Sequence, residues 1–572
     1  MYEKLNGNFP SAWGCSSKVK RMLLFLVLVL ACSFLVGASP AKIYPVDSSL
    51  YRDMRDLYIS QGYSLPSTAG PWSRDELLFL LNKLDQSSFS EIEQKIFDSL
   101  NEELTRNEQA FSIRFEANLE SYTHTNTTAF ITEEDWVYSY LDRKPLVNFP
   151  LEVDLGPFYA GGDLALVNSP FNDRDDSHKA VDGISDLFGK YYLTTNLPVQ
   201  FGSDELYLDA NIPYRGFLAA GGSGWHLQVG RDRLSWGPGA SGNFMLGSQV
   251  QYHNQGRITA YRDSFKYTFV TSFFPHPNEI GAHTNEYSQA HPIKGLKLFM
   301  AHRFEWRLLE NRLGFALNEG IMYQNASGGI DLRILNPFMI YHNYFIRTNA
   351  NSLASLEVDY ALSKGWNVYG QFAMDELSLG ATEWNLPTAK KHPNGLAFML
   401  GLRMAKPVGK GLLSGHLEGV YTDPYLYLRS IHGNKDQTPG DHTDSLNYII
   451  AIRRWFPDKV VYDQDYLGYR YGGDALVLSS SLEYREPGAW YLRGRFFGMA
   501  HGEINKNSFW KKGDLDMAPT GSPTFYLMGG VAGGKRQGSW DLYGSLGLLA
   551  QIHEYQMQSD LQLVMGASYS LR

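Results

Sequence analysis

The sequence predicts a transmembrane β-barrel of antiparallel strands, preceded by a small α-helical bundle. Three observations lead to this fold class. Apolar and polar residues alternate with a period of two from residue 111 to residue 571, as in barrel strands with one lipid-facing side. No apolar run of 18 residues follows the first 41 residues, which argues against a transmembrane helix there. Aromatic residues make up 14% of the chain and charged residues only 19%, against ~25% charged residues in typical soluble domains.

An export signal precedes the predicted domains. A basic segment at residues 18–21 is followed by an apolar run at residues 22–36, which is too short for a comfortable membrane span. Small residues offer two cleavage positions, after Ala38 or after Ala41, so we assign residues 1–41 to a signal peptide. The residues before the basic segment fit no signal pattern, and we expect the true start codon to lie downstream of the first methionine.

Both cysteines, Cys15 and Cys32, precede residue 42, so we expect the exported chain to contain no cysteine and no disulfide bond. Cys32 lies in a stretch that loosely resembles a lipoprotein box, but the apolar run continues past it, which favours an ordinary signal over lipidation. Residues 1–41 carry four basic side chains and one acidic side chain, so their removal changes the net charge from −9 to −12. This acidic balance argues against nucleic acid as a partner.

Helical spacing replaces alternation in residues 42–108. Ser73 with Glu76, and Ser90 with Glu93, have the spacing of capping boxes, and each pair opens an amphipathic segment. We expect three short helices that bury their apolar faces against each other or against a larger partner. Because export delivers the N-terminus first, we expect this bundle on the periplasmic side.

The predicted barrel occupies residues 109–572. Its turns alternate between short ones, such as residues 310–312, and long polar loops, such as residues 276–294, which is the asymmetry of outer-membrane barrels. At about 25 residues per strand and connection, this length gives roughly 16 to 20 strands, and a single bacterial chain should have an even number. A secreted all-β enzyme or sandwich is the alternative, but uninterrupted alternation favours the barrel. One departure is the C-terminal Arg572, where such barrels typically end on an aromatic residue.

The strand predicted at residues 296–308 separates an apolar row from a charged row. Arg303, Glu305 and Arg307 share one parity, and the opposite parity is mostly apolar. Because a basic side chain on the lipid face costs about 2–4 kcal/mol at mid-bilayer, the charged row should face the lumen. There it either forms a ladder that stiffens the wall or contacts a ligand. His302 falls on the apolar row, and we expect a bulge or a position near the membrane interface.

A rigid aromatic corner follows the strand predicted at residues 225–232. It consists of Trp236, Gly237, Pro238 and Gly239, in which the glycines permit turn geometries closed to other residues and the proline restricts the backbone. Trp236 is expected either in the aromatic belt at the membrane interface or as a flat platform for a sugar.

Two arginines precede this corner. Arg231 would fall on the lipid-facing row, so either a bulge at Gly230 reverses the parity or Arg231 lies at the barrel rim. Arg231 and Arg233 are candidates for binding an acidic or hydroxyl-rich ligand, because guanidinium groups make bidentate hydrogen bonds.

Gly230-Arg231, followed by Trp236-Gly237-Pro238-Gly239, Gly242 and Leu246, resembles the signature of the capsule-assembly Wzi family, which contains G-R-x-x-x-x-W-G-P-G. Weaker similarities lie at residues 51–57 and 71–73, in the helical segment, and at residues 301–305, 317–319 and 336–338. The resemblance extends over about residues 46 to 350.

This resemblance implies an 18-stranded outer-membrane barrel with helices at its periplasmic mouth. Members bind polysaccharide at the cell surface and help to anchor or organise capsule. The candidate ligand-binding residues are then Arg231, Arg233, Trp236, Arg303, Glu305, Arg307 and Glu319, and the corner glycines and proline are structural. The expected partners are outer-membrane lipid, surface polysaccharide and the insertion machinery, and we expect a monomer. A porin or solute channel and a purely structural surface protein remain as alternatives, which an open or closed lumen would separate.

No motif in the sequence points to catalysis. The patterns G-x-S-x-G and H-E-x-x-H are absent. His276, His283 and His291 lie in one predicted loop without a carboxylate at fixed spacing, so we expect no metal site there. An acidic stretch at residues 172–178 lacks the glycine and the closing glutamate of a calcium loop. We therefore expect no cofactor, no metal and no enzymatic activity.

Overall fold

A computed structural model of the chain describes residues 39–107, 109–126, 138, 142–166, 193–197, 214–276, 295–330, 332–336, 339–341, 350–376, 393–428, 446–455, 460–508 and 516–571. The signal segment and the acidic stretch at residues 172–178 therefore lie outside the described residues, as do His283 and His291.

Over these residues, an antiparallel sheet closes into an 18-strand barrel, which confirms the predicted fold class. Strands β4 and β5 together form one wall strand, β8 is a short addition to β5, and β26 pairs with β5 to close the wall. The wall strands are β4 (Phe111–Ile113), β5 (Phe115–His124), β6 (Val147–Leu155), β7 (Phe158–Leu166), β8 (Leu193–Thr195), β9 (Gly216–Gly222), β10 (Trp225–Asp232), β12 (His253–Arg262), β13 (Phe265–Phe274), β14 (Leu296–Leu308), β15 (Leu313–Asn325), β16 (Ala350–Ser363), β17 (Trp366–Glu376), β18 (Gly395–Val408), β19 (Gly411–Thr422), β22 (Ala475–Glu486), β23 (Trp490–His501), β24 (Thr524–Gln537), β25 (Trp540–His553) and β26 (Gln556–Leu571).

Six short strands lie outside the wall and form three small antiparallel sheets. They pair β1 with β3, β2 with β11, and β20 with β21. Their bounds are β1 (Ile43–Tyr44), β2 (Ala69–Gly70), β3 (Trp72–Ser73), β11 (Ser235–Trp236), β20 (Ile449–Trp455) and β21 (Val460–Tyr466).

The alternation along the wall sorts side chains between lipid and lumen as predicted. In β25, Leu542, Leu546 and Leu548 are about half exposed on the outer face. In β14, Arg303 and Glu305 are buried on the inner face. An apolar outer row matches the hydrocarbon, and the polar groups find partners inside the barrel.

The three predicted helices precede the barrel as α1 (Ser49–Gln61), α2 (Arg74–Leu81) and α3 (Glu91–Thr105), with 3-10 turns at Gln86–Ser88 and, later, Leu332–Leu335. The Ser73 side chain accepts from the Glu76 amide at 3.2 Å, and Ser90 with Glu93 forms a complete capping box. The helices bury a shared apolar cluster. No helix in the described part of the chain is both long and apolar enough to cross a membrane.

The helices lie at the short-turn end of the barrel. The Ser64 amide donates to the carbonyl of Asn311 at 2.7 Å, and the Gly365 amide donates to the carbonyl of Ile59 at 2.8 Å. Lys83 donates to the carbonyl of Asp263, which lies in another short turn. The short turns of the barrel therefore contact the helical segment directly.

The described segments that turn into the lumen include residues 64–73, residues 233–252 and the described parts of residues 423–474, and residues 39–47 pack on the inner wall beside them. Their apolar side chains join one buried cluster with inward-facing wall residues, which includes Leu65, Ala69, Trp236, Phe244, Leu246, Tyr427, Tyr448, Tyr469, Phe299, Met322 and Leu353. Backbone groups link them as well, since the Gly247 amide donates to the carbonyl of Leu467 at 2.9 Å. The chain thus fills a large part of its own barrel.

Candidate functional site

The Trp-Gly-Pro-Gly corner lies inside the lumen. Strand β11 pairs with β2, and the Gly237 amide donates to the carbonyl of Thr68 at 3.0 Å. Gly237 has a φ of 137°, and a Cβ there would lie 2.3 Å from Asn243 Oδ1. Only glycine fits both conditions, so the turn at this position requires a residue without a side chain.

A wall carboxylate holds the corner from the opposite side. Glu418 is fully buried, and its Oε2 accepts from the Ala240 amide at 2.6 Å and from the Tyr369 hydroxyl at 2.8 Å. Its Oε1 accepts from the amide and the hydroxyl of Ser241 at 2.8 and 2.5 Å. The neighbouring Arg403 donates to the carbonyl of Pro238 at 2.7 Å. The corner is therefore docked on strands β17 to β19.

Trp236 is buried, so both roles expected for it, a belt residue at the membrane interface and a platform for a sugar, are wrong. The side chain is 0% exposed and belongs to the lumen cluster, so it neither lies in an interfacial belt nor offers a face to a sugar. The belt residues are elsewhere, since Trp490 and Trp540 are 42% and 51% exposed beside short turns. Because the loop that carries the corner turns into the lumen, Trp236 packs against the corner and is covered. The local sequence does not specify whether the loop turns inward or outward.

The Arg303–Glu305–Arg307 row faces the lumen as predicted but holds protein rather than ligand. Arg303 contacts Glu357 bidentately, Glu305 at 2.9 Å and the Thr68 hydroxyl at 2.6 Å. Arg307 donates to the carbonyls of residues 65 and 66, both at 2.9 Å. Arg303 is 1% exposed, so the expected ligand contact is corrected to an anchor for the inward segment at residues 64–69.

Two further candidates lie away from the lumen. Arg231 keeps the outward parity, in regular register with both neighbouring strands, so of the two alternatives the rim position applies and no bulge occurs at Gly230. It lies one residue before the end of β10, over the ring of Tyr252 at 4.0 Å. Glu319 is also on the outer face, where Oε2 accepts from the Tyr341 amide at 3.0 Å. Neither residue lines a lumen site.

His302 remains on the outer face without a bulge, because β14 pairs in regular register with β13 and β15. Its Nε2 lies 3.2 Å from Glu319 Oε2, and its ring stacks on Tyr341 at 5.0 Å. The segment that carries Tyr341 covers this pair, which explains how two polar groups occupy an apolar row.

Arg233, another predicted ligand residue, lines a sizeable cavity, whereas Glu305 and Arg307 line one of only about 30 Å³. Arg233 pairs with Asp47 at 3.0 Å, donates to the carbonyl of Ser248 at 2.6 Å, and lines a cavity of about 400 Å³ beneath the corner. This cavity shares Arg52, Arg55 and Arg403 with a larger one, so the two adjoin.

The larger cavity, of about 700 Å³, lies between the docked corner and the inner wall of β18 to β24. Its volume falls within the ~300–1,000 Å³ of typical ligand pockets. Strand register places Arg403 beside His416, His416 beside Ser481, and Ser481 beside Arg495. We call these four residues the Arg403–Arg495 row. The cavity extends from α1 at the short-turn end to Asn505 in a long loop.

Several polar groups that line this cavity contact one another. His416 lies 3.2 Å from the hydroxyls of both Ser479 and Ser481. Arg493, one position below Arg495 on the inner face, donates to Glu483 at 2.6 Å. Carboxylates also line the cavity, among them Asp142 and Asp465, so it offers both hydrogen-bond donors and acceptors to a polar ligand.

Helix α1 forms the floor of this cavity through ion pairs to the wall. Arg485 contacts Asp53 at 2.9 Å and Asp56 at 3.0 Å. Arg52 and Arg55 of the same helix line the cavity above them. At this end of the cavity, helix α1 is therefore attached to the barrel wall by ion pairs.

Among the described residues, no group of three His, Cys, Asp or Glu side chains could hold a metal ion. Of the three loop histidines weighed from the sequence, only His276 is among them.

The residues of the cavity were not predicted from the sequence. Arg403, Ser481 and Arg495 all stand on the inward parity of their strands, so alternation alone could have placed them in the lumen. The alternation pattern does not specify which inward-facing residues of neighbouring strands lie at the same level along the barrel axis. It also does not show which of them are covered by the segments that turn into the lumen.

No family model matches the sequence, and no curated protein matches it. Among solved structures, the chain is similar to Wzi, an outer-membrane protein of Escherichia coli involved in group 1 capsule assembly and described as a carbohydrate-binding β-barrel. The identity is 15%, the alignment covers 92% of this chain and 99% of that chain, and the TM-score is 0.56.

The chain also matches a BenF-like porin from Pseudomonas fluorescens Pf-5, with 11% identity, 81% and 99% coverage and a TM-score of 0.38. A further match is the outer-membrane channel DcaP of Acinetobacter baumannii, with 6% identity, 81% and 97% coverage and a TM-score of 0.32. The protein has the closed β-barrel fold of outer-membrane proteins. The likeness to Wzi shows this shared fold.

Proposed function

We propose that this outer-membrane barrel binds polysaccharide at the cell surface and helps to attach or assemble a capsule or another surface glycan. The observation that supports the proposal is the filling of the barrel lumen by the chain itself, which leaves a lined cavity. Inward segments docked by Glu418 and Arg303 occupy much of it, and the remaining cavity is lined by donors and aromatic rings. The overall fold is similar to that of Wzi, which is described as carbohydrate-binding. We also propose membership of that capsule-assembly family.

The proposal includes an orientation. The helical segment lies at the short-turn end, and short turns face the periplasm in outer-membrane barrels. We therefore propose that the three helices lie at the periplasmic mouth of the barrel and that the long loops lie at the cell surface. Protease treatment of intact cells tests this, because cleavage within the helices before permeabilisation would contradict the orientation.

The test of function compares a deletion strain with its parent. Loss of cell-attached glycan, with release of glycan into the medium, supports a role in attachment. Purified protein on a glycan array should retain the glycan of its own strain. Unchanged glycan attachment together with no array binding would overturn the proposal.

A solute channel is the second candidate, because the 700 Å³ cavity extends from α1 to a long loop. Planar-bilayer recording separates the two functions. A steady conductance in the wild-type protein would favour a channel, whereas the glycan-binding proposal expects a closed baseline.

A further inference from the structure

Ser39 lies against the inner wall of the barrel, close to a short turn. It is buried, and its backbone nitrogen donates to Asp154 Oδ2 at 2.9 Å. Asp154 is the last inward-facing residue of β6 before the turn at residues 156–157, and its Oδ1 accepts from the Gly156 amide at 3.2 Å. Arg74 Nη1 lies farther from Oδ2, at 4.0 Å. The backbone nitrogen of Ser39 is therefore held by a buried carboxylate at this end of the barrel.

The contact is the upstream end of a longer attachment. We call residues 39–47 the N-terminal strap. Lys42 Nζ contacts Glu152 of the wall at 3.0 Å, and apolar side chains of the strap pack on the wall beside it. The carbonyls of Pro40 and Lys42 accept from amides in the first turn of α2, at 3.2 and 2.7 Å. The strap thus ties the helical segment to the barrel wall.

Signal cleavage after Ala38, one of the two predicted positions, changes the chemistry of the Ser39–Asp154 contact. Hydrolysis adds one water across the peptide bond, which leaves a carboxylate on Ala38 and an ammonium on Ser39. Free α-amino groups have a pKa of about 7.7–8.0, so the new terminus is mostly protonated at neutral pH. An amide donates one N–H, whereas an ammonium carries three and a positive charge. A hydrogen bond between such a charge and a carboxylate is shorter and stronger than one from a neutral donor.

We propose that removal of the signal peptide after Ala38 creates a buried ion pair between the α-ammonium of Ser39 and Asp154, and that this pair docks the N-terminal strap. Processing of the precursor then strengthens the attachment of the helical segment to the wall. The inference concerns maturation of the barrel, so it is independent of whether the barrel binds glycan or conducts solutes.

The test is amide hydrogen exchange of the complete barrel in detergent, prepared in two forms by scarless removal of an N-terminal fusion. One form begins at Ser39, and the other begins at Ala38, which moves the charged nitrogen one residue away from Asp154. In the Ser39 form, Asp154→Asn should speed exchange in peptides from residues 41–46 about ten- to a hundredfold. This effect should exceed the effect of the same substitution in the Ala38 form by about fivefold or more, because the two changes remove one shared interaction.

Glu152→Gln is the matched control. Glu152 faces the lumen two residues before Asp154 and contacts Lys42 rather than Ser39, so its substitution should speed exchange of the strap by the same factor in both forms. Heat-modifiable gel migration verifies that each barrel is folded. Equal effects of Asp154→Asn in the two forms would overturn the inference.

A variant that does not fold leaves the inference testable through the N-terminus alone. With Asp154 in place, the strap should exchange about fivefold or more faster in the Ala38 form than in the Ser39 form, and equal exchange would count against the ion pair. N-terminal sequencing of the exported protein gives an independent check. A mature chain that begins at residue 42 lacks Ser39 and would also overturn the inference.

Discussion

Glu418→Gln is expected to release the Trp-Gly-Pro-Gly corner from the wall while the barrel stays folded. The two carboxylate oxygens each accept from a different backbone amide, that of Ala240 or that of Ser241. A glutamine keeps only one acceptor oxygen, so in either orientation its amide NH₂ faces a buried backbone donor. A hydrogen bond to a charged group contributes about 1.5–3 kcal/mol, and a buried unsatisfied donor costs about 1–3 kcal/mol. We expect a total near 2–4 kcal/mol, which is roughly a 30- to 1,000-fold rise in the undocked population.

Amide hydrogen exchange measures this directly, because the affected donors are themselves backbone amides. Peptides covering residues 239–244 should exchange faster by about that factor, and peptides from the outer wall should not change. Glu486→Gln, a carboxylate at a short turn that contacts Trp490, is the matched control. Unchanged exchange at residues 240 and 241 in a folded variant would refute the role assigned to Glu418. A uniform increase over the whole barrel would instead indicate general loosening.

Three further outcomes are expected. Arg303→Met should destabilise the protein by about 3–5 kcal/mol, because it leaves buried carboxylates unpaired, and should lower the temperature of the heat-modifiable transition; an equal effect from the exposed Arg312→Met would contradict this. Burial acts to raise the pKa of Glu93, but hydrogen bonds from Ser90 and other neighbours outweigh it and hold the pKa below its ordinary value of 4.5. The stabilisation by ionised Glu93 is therefore present above pH 4.5 and is lost as the pH falls through the lower pKa of the folded state. Acid should then speed amide hydrogen exchange in α3 of the wild type more than in Glu93→Gln. Equal acid sensitivity of the two proteins would argue against this role of Glu93. The Ser39 amide lies 2.9 Å from Asp154, so N-terminal sequencing of the mature chain should begin at Ser39, and a start at residue 42 would show cleavage at the other predicted position.

The candidate site was only partly predictable, and Arg303 and Trp236 show why. Strand parity placed Arg303 in the lumen correctly, since a mid-membrane guanidinium is costly on the lipid side. Whether it meets ligand or protein depends on residues 64–69, which lie more than 230 positions away in sequence. Trp236 presents the same difficulty, because the corner motif specifies a turn but not the side of the wall to which the turn points.

The sequence by itself determined the period-two strands, the turn asymmetry, the helix caps at Ser73 and Ser90 and the lumen-facing charges of β14. Each of these follows from local physics: side-chain alternation, backbone capping, and the cost of charge in hydrocarbon. The tertiary structure alone decided that the corner docks on Glu418, that Tyr341 covers His302, and that Arg403 and Arg495 share one height on the inner wall. These are contacts between distant segments, set by strand register and by which loops turn inward, and no local pattern encodes either.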